Sequence, residues 1–207
     1  KKNKPIILSS GMADQDDIDR AISDISEQGN RNIALLHCVS LYPTPDESLN
    51  LSQIYSLQER YNCLVGFSDH SEGLIGVFGA VAMGAKIIEK HFTMDKNLPG
   101  PDHHFSADPE ELKELVWGVR RMESAMGRPE ISLANGELEM RKIARRSIVA
   151  ARDISIGDLI LSKDLAYQRP GTGLMPYQSD LVIGRQAKSN IKKNDQINLG
   201  DLKEEND

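Results

Sequence analysis

The chain has 207 residues, 39% of them hydrophobic and 27% charged, which is the composition of one large globular domain or two small ones. A formal charge of −6 leaves no basic stripe for a nucleic-acid backbone, and no apolar run approaches the ~18 residues of a membrane span. The opening Lys1-Lys2-Asn3-Lys4 carries neither an initiating Met nor a signal-like segment, so a trimmed, cytoplasmic chain is expected. Cys38 and Cys63 form no C-x-x-C pair; two buried thiols in a reducing compartment are expected rather than a disulfide or a zinc knuckle.

Taken in chain order, four short, nearly continuous apolar runs stand out: Pro5–Ser9, Ile33–Val39, Cys63–Phe67 and Ala85–Glu89. Such runs suit strands buried on both faces of a parallel sheet. Their starts lie about 22 to 30 residues apart, the length of one β-α unit. In the helix expected after the third strand, Gly76, Ala80 and Gly84 form a small-residue ridge for close approach to the sheet. After the fourth strand, Asp108-Pro109-Glu110-Glu111 reads as a helix start with an N-cap, Pro at N1 and Glu at N3. Leu112, Leu115, Val116, Val119 and Met122 recur at helical spacing until Gly127 and Pro129 stop the helix.

Beyond residue 127 the pattern changes. Residues 128–145 are polar and read as a linker with room for one helical turn. Residues 146–207 alternate short strands (Ser147–Ala151, Leu159–Leu161, Leu165–Arg169) with turns at Gly157-Asp158 and Asn194-Asp195. Ile154, Asp158, Ile160, Asp164 and Leu165 recur identically 37 positions later, which predicts a pseudo-twofold β module. The fold class is therefore α/β over residues 1–127, four β-α units of a (β/α)8 barrel, followed by a small β-rich domain. Four units cannot close an eight-stranded barrel, so the first half is expected outside this chain.

Barrel chemistry gathers at the C-terminal ends of strands. Here those ends read Ser9-Ser10-Gly11, His37-Cys38, Ser68-Asp69-His70 and Glu89-Lys90-His91. His70 and His91 end neighbouring strands about 4.8 Å apart, close enough for two imidazoles to share one divalent cation with open positions. Satisfied polar groups at the barrel mouth are the plainer alternative. Asp69 and Glu89 are candidate partners for the two imidazoles. Ser9, Ser10 and Gly11 at a strand-to-helix turn, and Ser68, suit an anion, although a serine-rich turn is also a common helix cap. His37 is expected to pack or hydrogen-bond rather than bind metal. Asp102, in the Pro-stiffened loop Leu98–His104, could grip a hydroxyl-rich substrate; His103 and His104 are expected to be solvated. Tyr42, in Tyr42-Pro43-Thr44-Pro45, could pack on a sugar or merely on its loop. Arg169, before Pro170-Gly171, is placed to reach a carboxylate or carbonyl oxygen if it is not simply solvated.

These motifs together resemble the sialic acid synthase family, with its legionaminate and pseudaminate relatives. The stretches that carry the resemblance are Ile6–Met12, Leu35–Cys38, Tyr42–Pro45, Gly66–His70, Glu89–Thr93, Pro99–His103 and Arg169–Gly171, in the family's order across almost the whole chain. The tail is similar to the family's antifreeze-like SAF domain. The resemblance implies a C–C bond-forming transferase that condenses phosphoenolpyruvate with an N-acylated amino sugar, giving a nine-carbon 2-keto acid and phosphate. It implies His70 and His91 as ligands of a divalent metal, manganese first and magnesium or cobalt as alternatives. It further implies Ser9 and Ser68 at phosphoenolpyruvate, Tyr42 and Asp102 at the acceptor sugar, and Arg169 reaching in from the partner of a domain-swapped homodimer. Pro101–His104 looks closer to the sialate and legionaminate branches than to the pseudaminate branch. The family's N-terminal half-barrel, with its phosphate-binding lysines, has no counterpart here, so the isolated chain is expected to be inactive. A non-catalytic carbohydrate- or protein-binding fragment acting through the SAF domain, or another metal-dependent barrel enzyme, are the alternatives.

Overall fold

The computed structural model describes residues 4–203. They form two compact units that divide between Pro129 and Glu130. The first runs β1 (Ile6–Ser9), α1 (Gln15–Glu27), β2 (Ile33–Cys38), α2 (Gln53–Tyr61), β3 (Leu64–Asp69), α3 (Ile75–Ala82), β4 (Ile88–Lys90) and α4 (Pro109–Met126). The four strands pair in parallel in the order β1-β2-β3-β4. Parallel neighbours consecutive in sequence, each followed by a helix, are the repeating unit of a (β/α) barrel.

One face of this sheet is closed. Leu35, Val65 and Phe67 pack there with Ile18 of α1, Ile54 and Leu57 of α2 and Ala80 of α3. The other face is the more open one: Ile7 and Leu64 are more than half exposed there, although Ala34, Leu36 and Ser68 on the same face are buried. Gly66 on β3 lies tight against its neighbours: a Cβ there would sit 2.5 Å from the Ile87 carbonyl oxygen and from Leu36 Cδ2.

Helix starts follow the local chemistry. Asp14 caps α1 in a capping box with Asp17, and Asp108 caps α4 in one with Glu111, behind Pro109 at N1. Three local expectations change. β3 and β4 each begin one to three residues later than the apolar runs suggest, because the register with their neighbours sets the start. Gly84 is not part of a ridge on α3; it follows the helix at φ +100°, a stop conformation that only glycine adopts without strain. On α4, Leu115 is buried but Leu112 and Val116 are largely exposed, so the apolar stripe is only partly covered.

The second unit contains α5 (Glu137–Ala144) and an antiparallel pair, β5 (Ser147–Ala150) with β6 (Leu165–Gln168). The stretch expected to be a linker with one turn thus holds a helix of 8 residues. Its Leu138, Met140 and Ile143 are exposed. Leu159–Leu161 forms no regular strand, only a bridge from Leu159 to Gln186.

The internal repeat is realised as a twofold exchange of bonds. Ile154 and Ile191 donate to each other's carbonyls at 2.8 and 2.9 Å. Asp153 Oδ1 accepts from Lys193 N, and Asn190 Oδ1 accepts from Ile156 N, both at 2.8 Å. Asp164 and Asp201 accept from the backbone N–H three residues earlier, at 3.0 and 2.9 Å. Ile160 and Ile197 fill the shared core. Among the described residues no helix is long and apolar enough to cross a membrane.

Candidate functional site

β3 and β4 pair with Ser68 opposite Glu89 and Asp69 opposite Lys90. Side chains alternate between faces, so Ser68 and Glu89 share the open face, Asp69 and Lys90 the helix-covered face, and His70 and His91 return to the open face one step on. The contacts follow this order. Ser68 Oγ donates to Glu89 Oε1 at 2.7 Å. Lys90 Nζ donates to Asp69 Oδ2 at 2.8 Å, with 5% and 0% of the two side chains exposed. The His70 and His91 ring centroids lie 5.2 Å apart at a steep angle.

His70 is firmly held. Its Nδ1 donates to the Val39 carbonyl at 2.9 Å, and its own carbonyl accepts from Thr44 N at 2.9 Å. A carbonyl only accepts, so Nδ1 carries the proton and Nε2 presents its lone pair. Around the pair stand Tyr42, its ring 4.3 Å from that of His70, and Phe105, 5.2 Å from His91. Asp102 Oδ2 stands 3.8 Å from His91 Nδ1, too far for a hydrogen bond. Two imidazoles on adjacent strand ends, one with a fixed tautomer, are a donor set that suits a divalent cation with open positions. Among the described residues no third His, Cys, Asp or Glu completes a cluster, so water or substrate oxygen would fill the rest.

Several expectations need correcting. Asp69 and Glu89 do not orient the imidazoles. The alternation of the strand turns Asp69 to the far face, where Oδ1 accepts from Ser71 N and Ser71 Oγ at 2.9 and 2.7 Å, and Glu89 is engaged by Ser68. The orienting partner of His70 is a backbone carbonyl, which leaves no mark on the sequence. The turn after β1 is not the cap of α1 either. That cap is Asp14, and with Asp16 and Asp17 in the first turn the helix dipole already faces carboxylates. Any anion affinity there rests on Ser9 and the local backbone. Ser9 is exposed, its Oγ 3.4 Å from Gly11 N, whereas Ser10 is buried and accepts from Cys38 N.

His37 behaves as expected and stays apart from the pair. It faces the helices, stacks on Phe67 and donates from Nε2 to the Leu49 carbonyl at 2.7 Å. Burial pushes its pKa below the ordinary 6.5. His103, expected in solvent, is half-buried with Nδ1 2.8 Å from Thr93 Oγ1, while His104 is exposed. Arg169 belongs to the second unit, exposed on the turn after β6. That turn is anchored by Ser147 Oγ donating to the Pro170 carbonyl at 2.6 Å and Gly171 N donating to the Lys142 carbonyl at 2.7 Å. Sequence reasoning missed Lys90, Ser71 and Phe105. A signal existed for the first: Asp69 and Lys90 each precede a strand-end histidine, and alternation places them together behind it.

A parallel β-α sheet with a two-histidine cluster at its strand ends, followed by a separate β module, defines the class: a barrel-type enzyme fold with an appended small domain. Residues 1–130 match the NeuB family model and residues 145–203 the SAF domain model, and the chain belongs to the NeuB family, that of the sialic acid synthases. It is 39% identical over 199 residues to N,N'-diacetyllegionaminic acid synthase of Campylobacter jejuni, covering 95% of this chain and 60% of that protein. It is 38% identical over 202 residues to pseudaminic acid synthase of the same organism, covering 98% and 59%. The crystal structure of the spore coat polysaccharide biosynthesis protein SpsE of Bacillus subtilis superposes with a TM-score of 0.58 at 37% identity, over 98% of this chain and 62% of that one. The chain thus spans about 60% of the length of these relatives.

Proposed function

We propose that this chain is the metal-bearing half of a synthase barrel with its SAF domain, and that the whole protein condenses phosphoenolpyruvate with an N-acylated amino sugar to a nine-carbon 2-keto acid and phosphate. The observation that carries the reading is the convergence of His70 and His91 on the open face of the sheet, with Glu89, Tyr42 and Asp102 around them. A divalent cation, manganese first, held by the two imidazoles would polarise the sugar aldehyde. Ser9 and Ser68 line the same face toward phosphoenolpyruvate. Tyr42 offers a flat apolar surface to the sugar, and the half-exposed Asp102 carboxylate a hydroxyl acceptor. Arg169 would be supplied by a second copy in a domain-swapped homodimer.

The open face also supports a missing complement. Ile7 and Leu64 are exposed where a closed barrel would bury them. Lys90, on β4 beside the histidines, is bound to Asp69 on the other face, so phosphate-binding cations must come from elsewhere. The isolated chain should therefore be inactive. The test is phosphate release by the full-length parent protein with manganese, phosphoenolpyruvate and a panel of N-acylated mannosamines and dideoxy relatives, beside His70→Ala and EDTA-treated samples. Release that needs both substrates and vanishes in both controls supports the reading and names the sugar. A folded, metal-loaded protein that releases no phosphate with any sugar refutes it.

A further inference from the structure

We propose that Lys90 is a positioning residue for the two-histidine centre: its buried ammonium fixes the spacing of His70 and His91 from the opposite face of the sheet. The proposal rests on the reading of His70 and His91 as metal ligands. A charge is costly where Lys90 lies. Only 5% of its side chain is exposed, and an ammonium there is tolerated only when paired and hydrogen-bonded. Both conditions are met, and by residues on either side of one histidine. Nζ donates to Asp69 Oδ2 at 2.8 Å and to the Ser71 carbonyl at 2.7 Å. Asp69 in turn accepts from Ser71 N and Oγ through its other oxygen. One ammonium thus closes a ring of bonds around the backbone of His70, and it is carried by the residue that precedes His91.

The two histidines need this in different degrees. His70 has its own restraints, through Val39 and Thr44. The backbone carbonyl of His91 accepts from Ala107 N at 2.8 Å, but its ring is a third exposed and lies 3.8 Å from the nearest carboxylate. The regular pairing of β3 with β4 ends at Asp69 opposite Lys90, one residue short of the histidines. Beyond that pair the Lys90 side chain adds bonds across to residues 69 and 71, on either side of His70. Groups that orient a metal ligand from behind typically change metal affinity by about 10- to 100-fold when removed.

The test uses the full-length protein and reads manganese affinity directly, from the fall of the free Mn2+ electron paramagnetic resonance signal on titration. Lys90→Met is expected to weaken binding by at least about tenfold. Because it leaves Asp69 buried without its partner, the double variant Asp69→Asn/Lys90→Met is measured beside it; it removes both charges and is expected to fold yet remain weak in metal binding. Leu57→Ala, on the core side of α2 and away from His70 and His91, serves as a control of lowered melting temperature with unchanged manganese affinity. The proposal is overturned if the double variant binds manganese as the wild type does, or if Leu57→Ala weakens binding as much as the Lys90 variants. A wild-type protein that binds no manganese at all would instead overturn the metal-site reading, and this inference with it.

Discussion

His37 makes the fold acid-sensitive in a calculable way. It is 1% exposed, spends Nε2 on the Leu49 carbonyl, and has no partner at Nδ1 among the described residues. A second proton would have nothing to bond to, and burial holds the folded-state pKa below 6.5. The unfolded chain takes up that proton as pH falls through 6.5 while the folded chain does not, so stability present above pH 6.5 is lost below it. If the folded ring stays neutral throughout, the loss reaches about 1.4 kcal/mol at one pH unit below 6.5. His37→Gln keeps a donor for the Leu49 carbonyl but cannot titrate. Urea unfolding of wild type and variant at pH 7.5 and 5.5, with an imidazole NMR titration to locate the pKa, provides the measurement. The variant should be less stable at pH 7.5 for its poorer packing, yet lose less stability on acidification, with about 1.4 kcal/mol as the upper bound of the difference. Equal losses in the two proteins, or a His37 ring that protonates at or above pH 6.5, would refute the reasoning.

Other outcomes follow from the same geometry. Gly66→Ala pushes a Cβ into the Ile87 carbonyl, a backbone atom that cannot swing away, and should cost about 1–3 kcal/mol, seen as a lower melting temperature. Arg169→Lys keeps the charge but loses the planar fork; with the proposed sugar contact, the KM for the amino sugar should rise about 10- to 100-fold while that for phosphoenolpyruvate changes little. Asp164→Asn should speed amide exchange in residues 147–168 more than Asp201→Asn does, although the two are repeat equivalents. Asp164 is buried and accepts from Arg152 Nε at 2.8 Å, whereas Asp201 is half-buried and meets Ser189 Oγ at 3.3 Å. Hydrogen-exchange mass spectrometry on those peptides separates the cases.

Much of the site was legible because the β-strand period ties position in the chain to face in the sheet. Ser68 on β3 and His70 just past its end alternate, as do Glu89 on β4 and His91 just past its end, and the apolar runs give the strands that carry them. The same period, applied to Asp69 and Lys90, puts them behind the histidines; proximity in sequence alone instead pairs Asp69 and Glu89 with the imidazoles. Proximity misleads in a strand, where neighbours in the chain point to opposite faces. The helix within residues 128–145 is longer than the single turn the sequence suggests, because a polar segment with little buried apolar surface carries a weak periodic signal.

The sequence by itself determined the local order: four apolar runs spaced for β-α units, the capped start at Asp108-Pro109, the 37-residue repeat with its turns, and the histidines at strand ends. These are short-range properties of side-chain pattern and backbone preference. Only the tertiary structure decided register and partnership. That Val39 offers its carbonyl to His70, that Ser71 closes the ring around Lys90, and that Ile154 exchanges bonds with its own repeat mate Ile191 all depend on where distant backbone groups meet. Backbone carbonyls and amides are the same at every residue, so nothing in the identity of Val39 or Ser71 announces the bond it makes.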